Sequence, residues 1–251
     1  MGNPTVPVSR VIEKLDGYLN ANDYEGALRH LLYWKNEAES LADRRAQLTL
    51  NCELMGLYRK ISKGKEAVIA AETAISLIDE LFLADSVTAG TTFLDAATVF
   101  NAFSDNARAV EYFKKAKTAY EKHLAGSDPK LAALYNNYAL ALVSLGKFSE
   151  ARAFYEKALA IDKAAPKGAA DAAITYLNMA NLIDAETGFE NAVEEIEDCL
   201  KNARSLLDGI AERDGYYAFV CEKCAGTFGY YGYVSYAEQL KKTAEEIYER
   251  S

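Results

Sequence analysis

The sequence predicts an all-α fold of about six antiparallel helix pairs stacked in a single array. Two observations predict it. A pattern of small and aromatic residues recurs along the chain, marked by Ala27, Ala67, Ala109, Ala151, Ala192 and Ala237, at intervals of 40, 42, 42, 41 and 45 residues. Stacked units leave such a period in a sequence because no single helix pair can bury its own apolar face. The composition agrees. Half of the 251 residues are apolar, 26% are charged, and only four are proline, the residue that helices tolerate least.

The expected repeats run 8–47, 48–89, 90–131, 132–172, 173–216 and 217–251, within one domain. The first two are degenerate, with Leu15, Tyr18, Tyr24, Ala27 and Leu31 in one and Met55, Tyr58, Ala67, Ala71 and Ala74 in the other. The third reads Phe93, Ala97, Phe100, Ala109, Phe113 and Ala116. The fourth is the clearest. Asp128 is placed to cap a helix and Pro129 to occupy its first turn, where no amide donor is required. Tyr135, Ala139 and Leu142 follow, then a turn glycine at Gly146, then Ala151, Tyr155 and Ala158. The fifth reads Tyr176, Ala180, Ile183, Phe189, Ala192, Ile196 and Cys199, and the sixth rests largely on Ala237. Stretches 85–90 and 163–168 read as turns between repeats, and 239–251 as a terminal helix whose charged face caps the stack.

The order Tyr135, Ala139, Leu142, Gly146, Ala151, Tyr155, Ala158 resembles the tetratricopeptide repeat. The period near 42 exceeds that family's usual unit of about 34 residues and resembles the longer-helix variety of kinesin light chains. The resemblance implies a right-handed superhelical solenoid whose first helices line a concave face that binds a peptide or partner protein. Carried onto this chain, the inward positions are Thr91, Leu94, Thr98 and Asn101 in the third repeat. The fourth contributes Ala133, Asn136, Asn137, Leu140 and Val143, and the fifth Leu177, Asn178, Asn181 and Asp184. The sixth contributes Phe219, Glu222 and Tyr230. From these the expected binding set is Asn101, Asn136, Asn137, Leu140, Leu177, Asn178 and Asn181. An asparagine amide both donates and accepts, so it either holds a peptide backbone or bonds the neighbouring helix. The sequence leaves both readings open. The basic clamp that family members use to grip a terminal carboxylate is missing, since Ile12 and Asp16 stand at those positions.

Charge and motif content narrow the function further. A net charge of −9 speaks against a nucleic-acid partner, which requires a basic face. No apolar run reaches the roughly 20 residues of a membrane span, and no secretory signal is visible, so a cytoplasmic protein is expected. Gly2 sits where myristoylation begins, but Val6 replaces the Ser or Thr of that motif. Cys52, Cys199, Cys221 and Cys224 do not make a disulfide framework. Cys221 and Cys224 form the one metal-like or redox-like pair. A zinc site needs four ligands, however, and His30 and His123 are distant, so no metal and no cofactor are expected. The pair falls on core positions of the last repeat. Phosphate loops, nucleophile elbows and zinc-protease motifs are missing. The run Gly226 to Tyr233 reads as a weak helix and turn, or as an exposed tyrosine patch. The expectation is a non-enzymatic interaction scaffold. Its alternatives are a peptide- or ligand-responsive regulator and, third, a cysteine-dependent enzyme. A homo-oligomer through an end of the stack is a further expectation for sizing chromatography to decide.

Overall fold

The computed structural model describes residues 5–250, so Gly2 lies outside the described residues. Among these there are twelve α-helices, one 3-10 turn and no strand. The N-terminal pairs are α1 (Val8–Asn20) with α2 (Tyr24–Ser40), α3 (Arg44–Lys60) with α4 (Gly64–Glu80), and α5 (Val87–Ala102) with α6 (Asn106–His123). The C-terminal pairs are α7 (Pro129–Ser144) with α8 (Phe148–Ala164), α9 (Ala169–Thr187) with α10 (Val193–Asp208), and α11 (Gly215–Tyr230) with α12 (Val234–Tyr248). The chain forms two compact units, Met1–Leu124 and Ala125–Ser251, with three pairs in each.

The second to sixth pairs start two to four residues ahead of the expected repeat starts. In four of these five pairs, all but α9 with α10, the reason is capping. The spaced apolar residues begin inside the first helices, whereas the starts are set by side chains that satisfy orphan amides. Asp43 accepts from the Ala46 amide, Ser86 from Ala89, Asp128 from Lys130 and Asp214 from Tyr217. Pro129 occupies the first turn of α7, as expected.

The small-residue register is regular. Ala27, Ala67, Ala109, Ala151 and Ala237 are each the fourth residue of a second helix, and all are buried. The fifth repeat keeps the same count but spends its first turn on the 3-10 segment Phe189–Asn191, so that Ala192 immediately precedes α10. Small side chains let the paired helices approach, and large ones fill the space beside them. Phe100, Phe113, Tyr120, Tyr155 and Phe228 are all fully buried. One close approach is at Gly90 in α5, where an added Cβ would lie 2.4 Å from the ring of Tyr120 on α6. The Tyr120 hydroxyl meets Thr91 at 2.8 Å, which ties the two helices at this crossing.

Many turns share one geometry. Asn22, Ala42, Ser62, Phe82 and Ser104 have φ between +53° and +64°, and Gly146 and Gly232 take the left-handed position in the fourth and sixth pairs. The next amide reaches back five residues, as in Lys63 to Tyr58 at 2.8 Å, Asp105 to Phe100 at 2.8 Å and Lys147 to Leu142 at 2.9 Å. This closure satisfies the last carbonyls of the helix it follows and reverses the chain in few residues.

Candidate functional site

In the C-terminal unit the first helices α7, α9 and α11 touch in succession. Their shared face carries a polar ladder. The Asn178 amide donates to Asn136 Oδ1 at 3.0 Å, and the buried Thr175 hydroxyl donates to the same oxygen at 3.2 Å. Between α9 and the end of α11, the Tyr231 hydroxyl is shared between Asn181 Oδ1 at 3.2 Å and Asp184 Oδ2 at 3.3 Å. Tyr230 also donates to Asp184, at 3.3 Å, and Tyr216 donates to Asp171.

Beside the first of these rungs opens a cavity of about 380 Å³, lined by Asn136, Asn137, Asp162, Asp171, Thr175 and Phe219 among others. Asn137 is half-buried on α7 and its amide makes no hydrogen bond among the described residues. Asp162, near the end of α8, is only 4% exposed. Burial, and then the neighbouring Asp171 carboxylate, push its carboxyl up to about 7. Burial and the bond to Asp171 push the Tyr216 hydroxyl up as well.

The predicted binding residues are therefore not equivalent. Asn136, Asn137, Asn178 and Asn181 share one face of the C-terminal unit, and Leu140 is half-buried on α7. Leu177 is 3% exposed and packs into the core, because its place on α9 faces inward beside Ala173 and Ala180. Asn101 belongs to the other unit, on α5, where its Oδ1 is buried without a hydrogen-bond partner. There Thr91 bonds Tyr120, and Thr98 bonds back to the Leu94 carbonyl at 2.9 Å. Of the two roles left open for asparagine, Asn178 takes the interhelical one and Asn137 remains open to the cavity.

Sequence reasoning missed Asp162, Asp171, Thr175 and Tyr216. One signal for Asp162 was available. It follows Tyr155, Ala158 and Leu159 at helical spacing, so a carboxylate stands on the buried stripe of α8. The cysteines are core residues. Cys221 is 0% and Cys224 2% exposed, and burial raises both thiols, that of Cys224 to about 12. No group of three or more His, Cys, Asp or Glu among the described residues is arranged to hold a metal.

Comparison with known proteins agrees with this geometry. Residues 131–163 match the sequence family described as Tetratricopeptide repeat. The crystal structure of BtubC (BKLC) from P. vanneervenii superposes with a TM-score of 0.68 at 21% identity, covering 82% of each chain. Residues 131–163 thus match a tetratricopeptide repeat, and the chain as a whole shares the fold of such repeat arrays. A kinesin-light-chain-like protein of Podosopora anserina with nearly identical TPR-like repeats gives 0.54 at 18% identity, over 80% of this chain and 94% of that one. A Rap protein complexed with competence and sporulation factor also gives 0.54, at 14% identity, over 94% of this chain and 73% of the Rap chain. Among curated proteins, a sequence search finds no match. No helix among the described residues is long and apolar enough to cross a membrane.

Proposed function

We propose that this tetratricopeptide-repeat protein is a non-enzymatic, cytoplasmic interaction scaffold that binds an extended peptide segment of a partner protein across α7, α9 and α11. The observation that supports this most is Asn137. A half-buried amide with both hydrogen-bonding functions uncommitted, set at the edge of a cavity, can pair with a peptide N–H and C=O whatever the peptide's side chains. Asn136 and Asn178 hold each other and stiffen the floor of that face. Nucleic acid is not the expected partner, given the acidic balance of the chain.

A second reading has one observation in its favour. The Rap protein of similar fold was solved in complex with competence and sporulation factor, so a repeat array of this kind holds a factor there. By that analogy this chain is a ligand-responsive regulator. Both readings use the same face and differ in whether occupancy changes the protein.

The test is capture of lysate proteins and of a peptide array by the wild type and by Asn137→Ala/Asn178→Ala. The folded double variant is expected to lose peptide binding. Equal recovery of every partner by wild type and variant would remove this face from the reading. Sizing chromatography of the same samples decides self-association.

A further inference from the structure

We propose that the cavity between the N-terminal halves of α7, α9 and α11 is a subsite for a basic side chain, lysine or arginine, of the bound peptide. The inference rests on the peptide-binding reading of that face and adds the class of residue it selects.

Three observations point to a cation. First, Asp162 lies at the cavity and is 4% exposed, and its carboxyl makes no hydrogen bond among the described residues. Its charged neighbour is another acid, Asp171, which accepts the Tyr216 hydroxyl. A carboxylate enclosed beside a like charge is a standing electrostatic cost, and a hydrogen-bonded cation relieves it most directly. Second, the wall on the α11 side is aromatic. The Tyr216 and Phe219 rings stack with centroids 6.1 Å apart, and aromatic faces attract cations. Third, the charges are sorted by depth. Lys130 and Lys223, which also line the cavity, are exposed, while the acid is enclosed. The Lys223 ammonium lies 5.1 Å from the Phe219 ring centroid, so that ring already holds a cation on its own surface. The volume of about 380 Å³ accepts a long side chain, with Ile174 and Phe219 along its aliphatic stem and the amides of Asn136 and Asn137 beside it.

The chemistry fits a guanidinium or ammonium and opposes an acidic side chain, which would add another negative charge beside Asp171 and Asp162. A neutral apolar side chain would fill the space and leave Asp162 without a partner.

The experiment is a randomised peptide array in which one position is fixed as Arg, Lys, Ala or Glu, probed with intact wild type, Asp162→Asn and Asp171→Asn. Wild type is expected to bind the Arg and Lys spots at least about tenfold more strongly than the Ala spots, the scale of a charge-assisted hydrogen bond, and the Glu spots least. Asp162→Asn should lose that preference while still binding the Ala spots, and Asp171→Asn should weaken it. Thermal melts confirm that each variant is folded, and Asp171→Asn carries the test if Asp162→Asn is not. Binding by wild type with no basic preference, or a preference that survives in folded Asp162→Asn, overturns the subsite and leaves the groove standing. Silence on every spot sinks both.

Discussion

Asp162 is the residue at which sequence, packing and electrostatics conflict most openly. Its position on α8 belongs to the buried stripe of Tyr155, Ala158 and Leu159, where a carboxyl is costly. Burial first and Asp171 second raise it from its ordinary 3.8 to about 7. Between these values the folded chain holds a proton that the unfolded chain has released. The stabilisation is therefore complete below about pH 4 and is lost as the pH rises through about 7. Asp162→Asn stays neutral throughout. The stability gap in favour of the variant should widen with rising pH, by up to about 1.4 kcal/mol per pH unit across that window. Paired melts over the window measure the gap directly, with Asp171 and Tyr216 unchanged in both proteins. Asp95 on α5, also raised to about 7 by burial and then by Glu53, follows the same sign but cancels in the comparison. A gap that does not move with pH would mean that Asp162 is ionised throughout.

A helix pair is held by where its small residues fall. Ala151 is fully buried as the fourth residue of α8, and Tyr155 and Ala158 lie one and two turns further on the same stripe. Ala151→Leu adds three carbons at a crossing with no room for them, and should lower stability by roughly 1–3 kcal/mol in a denaturant melt. An unchanged midpoint would show that α7 and α8 do not pack through this register. Ion pairs assist between neighbouring pairs without setting the geometry. Arg108 on α6 reaches Glu72 on α4 and Asp105 at 2.6 Å each, and lies over the Phe100 ring at 4.3 Å. All three charged groups are more than a third exposed, so this cluster is a modest contributor.

For the chain as a whole, burial sets the state of the thiols. Cys199, Cys221 and Cys224 are buried and Cys52 is half-buried, and every thiol is raised by burial, with Cys52 and Cys224 at about 12. At neutral pH they stay protonated, and the thiolate is the reactive form. Titration with a thiol reagent should therefore be slow for the native protein and should reach all four cysteines only in denaturant. One fast native thiol would return the cysteine-dependent enzyme to consideration.

The sequence alone determined the helix pairs and their register, because local rules are enough for that. Alanine spacing, the Asp128–Pro129 start and the glycine at Gly146 each act within a few residues. It also placed Cys221 and Cys224 in the core, from their position in the repeat. The tertiary structure decided which polar groups meet. Asn136 and Asn178 lie 42 residues apart and hydrogen-bond, Asn137 does not, and Leu177 turns inward. Asp162, Asp171 and Tyr216 converge on one cavity from three helices. A repeat period gives the pitch of a stack, but a difference of one residue rotates a side chain by about 100° around its helix. Which side chains face solvent, core or cavity depends on how adjacent pairs settle against one another.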